Sequence, residues 1–292
     1  MGVCGAPNGF SSFRACLVLV SIITTPEIPE RSNVVVSSAG RQAVVFLHGQ
    51  GGDQSMWRLL APAFEDRYQV VLLDLVGTGR SDLAAYRPGQ RRAALEGHAR
   101  DLLDVLSALA LHEVVFVGHS VGAVIGVLAA VREPARFAKM VLVSPSPRFL
   151  NEAGHAGGFE QSDVNELLAA MEGDYRGWSS AFAPVMMGAD ERPELALELT
   201  NSFVRTNPEI ARHFARVTFF SDSRAELAHL TIPTLMVQSA RDVVAPPAVG
   251  QYLHGQLADS RLEVVETGGH CPHLSAPQET LGAIDRFLQR GF

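Results

Sequence analysis

From residue 33 onward, short apolar runs rich in β-branched residues alternate with longer stretches in which apolar residues recur at helical spacing. The runs that we predict to be strands occupy residues 43–47, 69–73, 114–117, 139–143, 234–238 and 261–265. Several of these runs are apolar at every position, as strands covered by helices on both sides must be. The alternation is typical of an α/β fold in which crossover helices flank a mostly parallel central sheet.

The clearest helical stretch covers residues 95–109. Its apolar residues lie three or four positions apart, at Leu102, Val105, Leu106 and Leu109. Charged residues occupy positions between them, at Glu96, Arg100, Asp101 and Asp104. The spacing predicts a surface helix with one face on the core and the charged face in solvent.

The alternation stops between residues 144 and 230, where helical patterns follow one another without a strand and aromatic and methionine residues accumulate. Any one such residue is most often plain core. As a group they indicate helices that cover the sheet and enclose an apolar pocket. We therefore predict a helical lid at about residues 144–230, within a single domain of residues 31–292.

Residues 1–30 precede this pattern. They include the apolar run 15–23, which follows Arg14. The run is too short to span a bilayer, and no small-residue cleavage site of the signal-peptide kind follows it. We expect residues 1–30 to be an N-terminal extension without fixed structure.

The composition of the chain limits the classes of molecule that it can be expected to bind. The 292 residues carry 24 basic and 31 acidic side chains, for a net charge of −7, and no basic cluster is visible. Such a chain has nothing to neutralise phosphates, which argues against nucleic acid and anionic membranes as partners. Cys4, Cys16 and Cys271 form neither a CxxC pair nor a disulfide framework, so we expect a cytoplasmic protein.

The strongest chemical signal is the G-x-S-x-G motif at residues 118–122 (GHSVG). It directly follows the strand 114–117 and precedes a helical stretch, so Ser120 is predicted to lie on a tight, strained turn that exposes its hydroxyl as a nucleophile. A glycine-rich turn carrying an inert serine is the alternative, and the strand and helix on either side make it the weaker one.

A serine nucleophile needs a base and an orienting acid, which on this type of fold follow in the order Ser, Asp or Glu, His. Asp242 follows the strand 234–238, and His270 follows the strand 261–265. His273 competes with His270 as the base. Asp74, at the end of the strand 69–73, is a weaker substitute for Asp242.

Acyl transfer also requires two backbone N–H donors for the oxyanion. The residue after the nucleophile, Val121, is predicted to supply one, and Gln50 in the loop 48–52 (HGQGG) the other. No phosphate-binding G-x-x-x-x-G-K-[ST] is present, and the pairs His48 with Asp53 and His270 with His273 match no zinc spacing. We expect no metal and no cofactor.

With these residues the sequence resembles the α/β-hydrolases, and within them the RsbQ-like branch that includes the plant strigolactone and karrikin receptor hydrolases. The resemblance covers about residues 33–292. Its distinctive segments are HG at 48–49, DQS at 53–55, GHSVG at 118–122, SPRFLN at 146–151, GGFE at 157–160, GW at 177–178, FAP at 182–184, SD at 221–222, ARD at 240–242 and GHCPH at 269–273.

The resemblance implies a fold with a four-helix, V-shaped lid inserted after the sixth strand, and it makes Ser120, Asp242 and His270 the catalytic triad. It implies an apolar pocket lined by Phe149, Phe159, Trp178, Phe182 and Phe219. It also implies a signalling role, in which a partner phosphatase with a PAS sensor domain activates a stress response.

The sequence departs from this family at two places. Gln50 stands where relatives usually carry Phe, which makes the pocket mouth more polar. The stretch 151–156 (NEAGHA) replaces an aspartate- and tyrosine-rich stretch. Both departures concern the ligand.

We predict a serine hydrolase of small hydrophobic esters or lactones. Two alternatives use the same residues differently. One is a ligand-sensing or partner-binding module without significant turnover, and the other is a carbon–carbon bond hydrolase.

Overall fold

The computed structural model describes residues 27–37, 40–87, 92–188 and 192–289. The expectations for residues 1–26, with Cys4, Cys16 and the apolar run 15–23, lie outside the described residues.

One sheet runs through the described part of the chain. Its strands are β1 (Val35–Val36), β2 (Ala43–Leu47), β3 (Gln69–Leu73), β4 (Val114–His119), β5 (Phe137–Val143), β6 (Thr234–Arg241) and β7 (Ser260–Gly268). Their spatial order is β1-β3-β2-β4-β5-β6-β7, and every neighbouring pair is parallel except β1 with β3. The predicted mostly parallel sheet is confirmed, and β4, β5, β6 and β7 are longer than the apolar runs that predicted them.

Helices connect and cover the strands. They are α1 (Glu27–Arg31), α2 (Leu95–Ala108), α3 (Val121–Arg132), α4 (Gln161–Gly173), α5 (Tyr175–Met187), α6 (Pro193–Arg205), α7 (Pro208–Phe220), α8 (Arg224–Leu227), α9 (Pro247–Gln256), α10 (Pro272–Ser275) and α11 (Pro277–Gln289). Short 3₁₀ turns occupy Gln54–Trp57, Ala61–Phe64, Leu83–Ala85 and Pro134–Arg136. Several helices begin at a proline, whose fixed φ suits the first helical position and whose missing N–H is not needed there.

The two faces of the sheet are covered by different elements, and alternate strand residues serve each face. In β2, Val45 and Leu47 belong to the core cluster that contains α2, α3 and α9. Val44 and Phe46 belong to the cluster on the opposite face, with α11 and the turns at Gln54–Trp57 and Ala61–Phe64. This double coverage explains why β2 is apolar at every position.

Helices α4, α5, α6 and α7, called the cap below, lie between β5 and β6 and share a core cluster of their own. Five described strands precede the cap, so the insertion follows the fifth of these strands and not the sixth. The insertion contributes no strand within the described residues, as its helical pattern predicted.

The N-terminal boundary differs from the expected one. Residues 27–30 belong to α1, inside the segment expected to have no fixed structure. Ile28 packs against the core cluster, and Arg31 Nη2 lies 3.3 Å from Asp101 Oδ1 and 3.3 Å from Asp104 Oδ2. These contacts fix α1 on α2, and the sequence pattern missed them because α1 is so short.

The helix predicted at 95–109 is confirmed as α2, with one difference. Asp101, expected on the solvent face, is buried. Its Oδ2 lies 2.7 Å from Nη2 of Arg92, which is itself buried. A buried carboxylate requires such a partner, and a periodic pattern cannot reveal one that lies on the preceding loop.

No helix among the described residues combines the length and the apolar character needed to cross a membrane.

Helix α3 packs so closely on the sheet that a methyl group at Gly126 would lie 2.0 Å from Cε1 of the Phe116 ring. We expect Gly126→Ala to lower the free energy of unfolding by about 1–3 kcal/mol, because a packed core resists added volume. Urea denaturation measures this change.

The matched control is Gly173→Ala at the exposed end of α4, where a methyl group meets nothing within 4 Å. It should leave the urea midpoint unchanged or raise it slightly, because alanine favours a helix over glycine. Equal midpoints for the two variants would contradict the close packing of α3.

Candidate active site

Ser120 stands at the junction of β4 and α3 with a left-handed backbone, φ +54° and ψ −125°. A non-glycine residue adopts such a conformation only where the surroundings enforce it, and such residues concentrate at functional sites. The enforcing contact is a hydrogen bond from the N–H of Ser120 to the carbonyl of Val143, 2.8 Å long. The predicted tight turn is therefore present, and the Ser120 side chain leaves it at the carboxyl end of β4.

The glycines on either side of Ser120 are required by close backbone contacts. A methyl group at Gly122 would lie 2.3 Å from the carbonyl oxygen of His48, and one at Gly118 would lie 2.7 Å from Cα of Ala123. Real side chains do not reach such distances. The G-x-S-x-G spacing thus reflects how closely the turn fits between β2 and α3.

Three predicted residues meet at this turn. Oγ of Ser120 lies 2.7 Å from Nε2 of His270, and Nδ1 of His270 lies 2.8 Å from Oδ2 of Asp242. All three residues are buried. Since a carboxylate can only accept, Nδ1 carries the imidazole proton, and Nε2 is free to accept from the serine hydroxyl.

Asp242 is held by backbone and side-chain donors. Its Oδ1 accepts from the N–H groups of Val244 and Ala245, at 2.8 and 3.0 Å. Its Oδ2 also accepts from Nε2 of Gln238, at 3.3 Å. The same Nε2 donates to the carbonyl of Ala245, at 2.7 Å. The carboxylate therefore keeps its orientation toward His270. Gln238 was not foreseen, because inside a buried strand its side chain gave no chemical signal.

The backbone of His270 is fixed from both sides. Its N–H donates to the carbonyl of Met186 in α5, at 2.6 Å, and its carbonyl accepts from Nε2 of His119 at 2.8 Å. Because that carbonyl can only accept, Nε2 of His119 carries the proton. Burial lowers the pKa of His119 well below its ordinary value, which keeps this imidazole neutral.

His273, the competing base, lies away from Ser120. Its ring packs against Trp57 and His119, with centroid distances of 4.7 and 4.5 Å. In the described part of the chain, neither ring nitrogen has a hydrogen-bond partner. Burial, with a smaller contribution from nearby His270, lowers the pKa of His273 to about 3. It is a neutral core side chain.

Asp74, the predicted substitute for Asp242, accepts hydrogen bonds from the loops around the end of β3. Its carboxylate accepts from the N–H groups of Gln54 and Arg80 and from Nδ2 of Asn33, at 2.7–2.9 Å. These bonds account for its burial, and none of them joins it to His270.

The two expected oxyanion donors lie on either side of Ser120. The N–H of Val121 is in the first turn of α3, where amide groups lack intrahelical acceptors and the helix dipole favours negative charge. The Gln50 N–H follows Gly49, at which a methyl group would lie 3.0 Å from Cβ of Ser120. Among the described residues, no carbonyl accepts from the Gln50 N–H.

A cavity of about 360 Å³ opens beside Ser120 and His270, between the sheet and the cap. We call it the main cavity. Its other wall residues are mostly apolar: Gln50, Phe149, Trp178, Phe182, Met186, Ala215, Thr218, Phe219 and Val244.

Four of the five expected pocket residues are in this wall. Phe159 is not, because its ring lies behind Phe219, with the ring centroids 5.3 Å apart. Met186 belongs to the aromatic and methionine residues expected to enclose the pocket. Ala215, Thr218 and Val244 were not foreseen, since periodicity gives the inner face of a helix without its neighbour and gives no signal for a residue in a loop.

Within the described residues, no group of three or more His, Cys, Asp or Glu side chains has the arrangement of a metal site. Cys271, adjacent to His270, is a buried free thiol, and burial raises its pKa. It therefore stays protonated and is a poor nucleophile.

The described fold agrees with comparisons to known proteins. The sequence model described as alpha/beta hydrolase fold matches residues 42–277. The chain belongs to this family, and it is a hydrolase.

Within the family the chain is similar to plant proteins. It is 40% identical to a probable esterase of Oryza sativa subsp. japonica over 90% of this chain and 97% of the relative, and 38% identical to a strigolactone esterase of Arabidopsis thaliana over 90% and 98%. A solved hydrolase from Oleispira antarctica matches with a TM-score of 0.87 at 38% identity, over 91% of this chain and 97% of that one.

We expect acid to destabilise the protein partly through His273. The unfolded chain binds a proton at this histidine near pH 6.5, whereas the folded chain does so only near pH 3. The contribution of this group to the free energy of unfolding is therefore fully present above pH 6.5. It is lost as the pH drops from 6.5 toward 3, by about 1 kcal/mol per pH unit for one such group.

His273→Phe removes the group and keeps a ring against Trp57. Its unfolding free energy, measured by urea titration from pH 7.5 to 4.5, should fall less steeply than that of the wild type. A variant with the wild-type slope would contradict the assignment of His273 as a neutral core residue.

Proposed function

We propose that the chain is a serine hydrolase of small esters or lactones, with Ser120 as nucleophile, His270 as general base and acid, and Asp242 as the orienting carboxylate. The observation that carries the proposal is the continuous hydrogen-bonded series Ser120 Oγ, His270 Nε2, His270 Nδ1 and Asp242 Oδ2, with contacts of 2.7 and 2.8 Å. A nucleophile within reach of a base that is held by a third group is the geometry that acyl transfer requires.

In this mechanism Oγ of Ser120 attacks the carbonyl carbon as Nε2 of His270 takes its proton. Asp242 stabilises the resulting imidazolium, which then protonates the leaving alkoxide. A water molecule, deprotonated by His270, attacks the acyl-enzyme. The imidazolium then returns the proton to Oγ of Ser120 as the acid is released. No cofactor or metal enters these steps.

We assign the oxyanion to the N–H groups of Val121 and Gln50. Two features support this assignment: Val121 lies at the N-terminus of α3, and Gln50 N–H has no carbonyl acceptor in the described chain. Donors held in place before the reaction stabilise developing charge without reorganisation.

The lining of the main cavity supports a small, mostly apolar substrate. The cavity lies between the sheet and the cap, and most of its wall residues are apolar. Its aromatic and aliphatic walls favour a compact acyl group or a lactone ring over a long or charged chain.

We further propose that residues 31–292 act as one domain in which α4–α7 form the lid of the site, and that the protein works in the cytoplasm. The hydrogen bond between the carbonyl of Met186 and the N–H of His270 supports the first point, because it ties the cap to the base.

A signalling role is also proposed, with slow hydrolysis and a partner phosphatase that carries a PAS sensor domain. Its support is the similarity to relatives named as receptors, such as "Karrikin insensitive 2 receptor CA" of Petunia hybrida at 38% identity. Purified phosphatase of this kind should bind the wild-type chain in a pull-down, and lack of binding would leave the hydrolase proposal standing alone.

We expect Ser120→Ala to reduce hydrolysis of p-nitrophenyl acetate by roughly 10³-fold or more, because no other group can form the acyl-enzyme. Release of p-nitrophenol, followed by absorbance, gives the rate. Ser180→Ala is the matched control, since this exposed serine in α5 bonds only to the carbonyl of Arg176. Comparable rates for the two variants would contradict the role of Ser120.

A signalling hydrolase should deacylate slowly, below the common range of about 1–1000 s⁻¹. With a fluorogenic butenolide we therefore expect a burst followed by slow turnover, and an intact-mass increase that is absent in Ser120→Ala. Fast sustained turnover without an adduct would instead indicate a metabolic esterase. Preferred cleavage of a vinylogous diketone would indicate a carbon–carbon bond hydrolase.

A further inference from the structure

Two polar side-chain atoms belonging to wall residues of the main cavity have no hydrogen-bond partner among the described residues. They are Oε1 of Gln50 and Oγ1 of Thr218, and both atoms are buried. Native structures rarely leave such atoms unpaired, because a buried polar group without a partner is unfavourable. Apart from Ser120 and His270, the rest of the wall is apolar, so these two atoms mark where a ligand can make polar contacts.

The orientation of the Gln50 amide follows from its neighbours. Nε2 of Gln50 donates to the carbonyl of Ala211 in α7, at 3.3 Å. A carbonyl can only accept, so the NH₂ end faces α7 and Oε1 remains as an acceptor. The next residue is also held, since Oγ of Ser202 in α6 donates to the carbonyl of Gly51 at 2.8 Å. The acceptor is therefore in place before a substrate binds.

Gln50 also lies close to the reacting atoms. It follows Gly49, whose backbone lies against Ser120, and its own N–H is the proposed oxyanion donor. Gln50 and Trp178 line both the main cavity and a second cavity of about 280 Å³. A ligand atom that meets Oε1 is consequently near the scissile carbonyl, at the junction of the two cavities.

We propose that the substrate carries a hydrogen-bond donor next to its scissile carbonyl, and that Oε1 of Gln50 accepts from it. The class is an ester or lactone with a neighbouring hydroxyl or amide N–H, which differs from a plain hydrocarbon ester. Thr218 Oγ1 supplies a second polar contact to the same ligand. The inference rests on the proposed function, since it needs a carbonyl positioned at Ser120.

The test compares lactones that differ only at the carbon beside the carbonyl. α-Hydroxy-γ-butyrolactone carries the donor, and α-methoxy-γ-butyrolactone has the same oxygen without it. α-Acetamido-γ-butyrolactone separates an amide donor from a hydroxyl. A pH-stat measures acid release, and we expect kcat/KM for at least one donor-bearing lactone to exceed that for the methoxy compound about tenfold or more.

Variants assign this preference to Gln50. Gln50→Met keeps the side-chain length and removes the acceptor, so the hydroxy-to-methoxy ratio of kcat/KM should fall toward one. Thr218→Val should lower the ratio by a smaller factor. Met186→Leu alters the same cavity without changing either polar atom and should keep the wild-type ratio. Because the readout is a ratio, a general loss of activity does not affect it.

The outcomes separate the two proposals. Hydrolysis that disappears in Ser120→Ala, with equal kcat/KM for all three lactones, would overturn the substrate class and leave the hydrolase proposal intact. Hydrolysis that persists in Ser120→Ala would overturn the mechanism. In that case calorimetric binding of the same lactones to Ser120→Ala tests the site, with about tenfold tighter binding of a donor-bearing compound expected and equal affinities contradicting it.

Discussion

Ser120 keeps its left-handed backbone in a turn where α3 lies almost in contact with the end of β2. The carbonyl of His48 approaches Gly122 so closely that no side chain fits there, and the hydrogen bond to Val143 fixes the turn from the other side. Everything else in the site is placed relative to this turn. The Ser120 hydroxyl reaches His270, α3 begins at the next residue, Val121, and the loop with Gln50 lies alongside. Close packing of the core thus fixes the positions of the side chains in the site.

The site also lies away from solvent. Ser120, Asp242 and His270 are all buried, and His119 and His273 pack around them as neutral rings. In such surroundings a hydrogen bond is stronger than in water, and an unpaired polar atom is more costly. This explains why Asp242 has a full set of donors.

Much of this arrangement could be predicted from the sequence, because its signals are local. The apolar runs predict the strands. Ser120, Asp242 and His270 each follow a strand, where functional residues of parallel sheets commonly lie. What could not be predicted depends on side-chain contacts that the spacing of apolar residues does not show. Gln238 donates to Asp242 from within a strand, and the buried Asp101 of α2 pairs with Arg92 on the preceding loop. The ring of Phe159 is separated from the cavity by that of Phe219. Periodicity gives the inner face of an element without its neighbour across the interior.

The hydrogen bond from the N–H of His270 to the carbonyl of Met186 has a consequence for recombining such proteins. Because the end of α5 supports the backbone of His270, the cap is not an independent cover that can be exchanged for one of different shape. A chimaera that received a foreign cap would need to retain the segment around Met186 and the tight junction of Gly188 with Gly269. New specificity is therefore easier to introduce through α6 and α7, which contact the Gln50 loop, than by replacing the whole insertion.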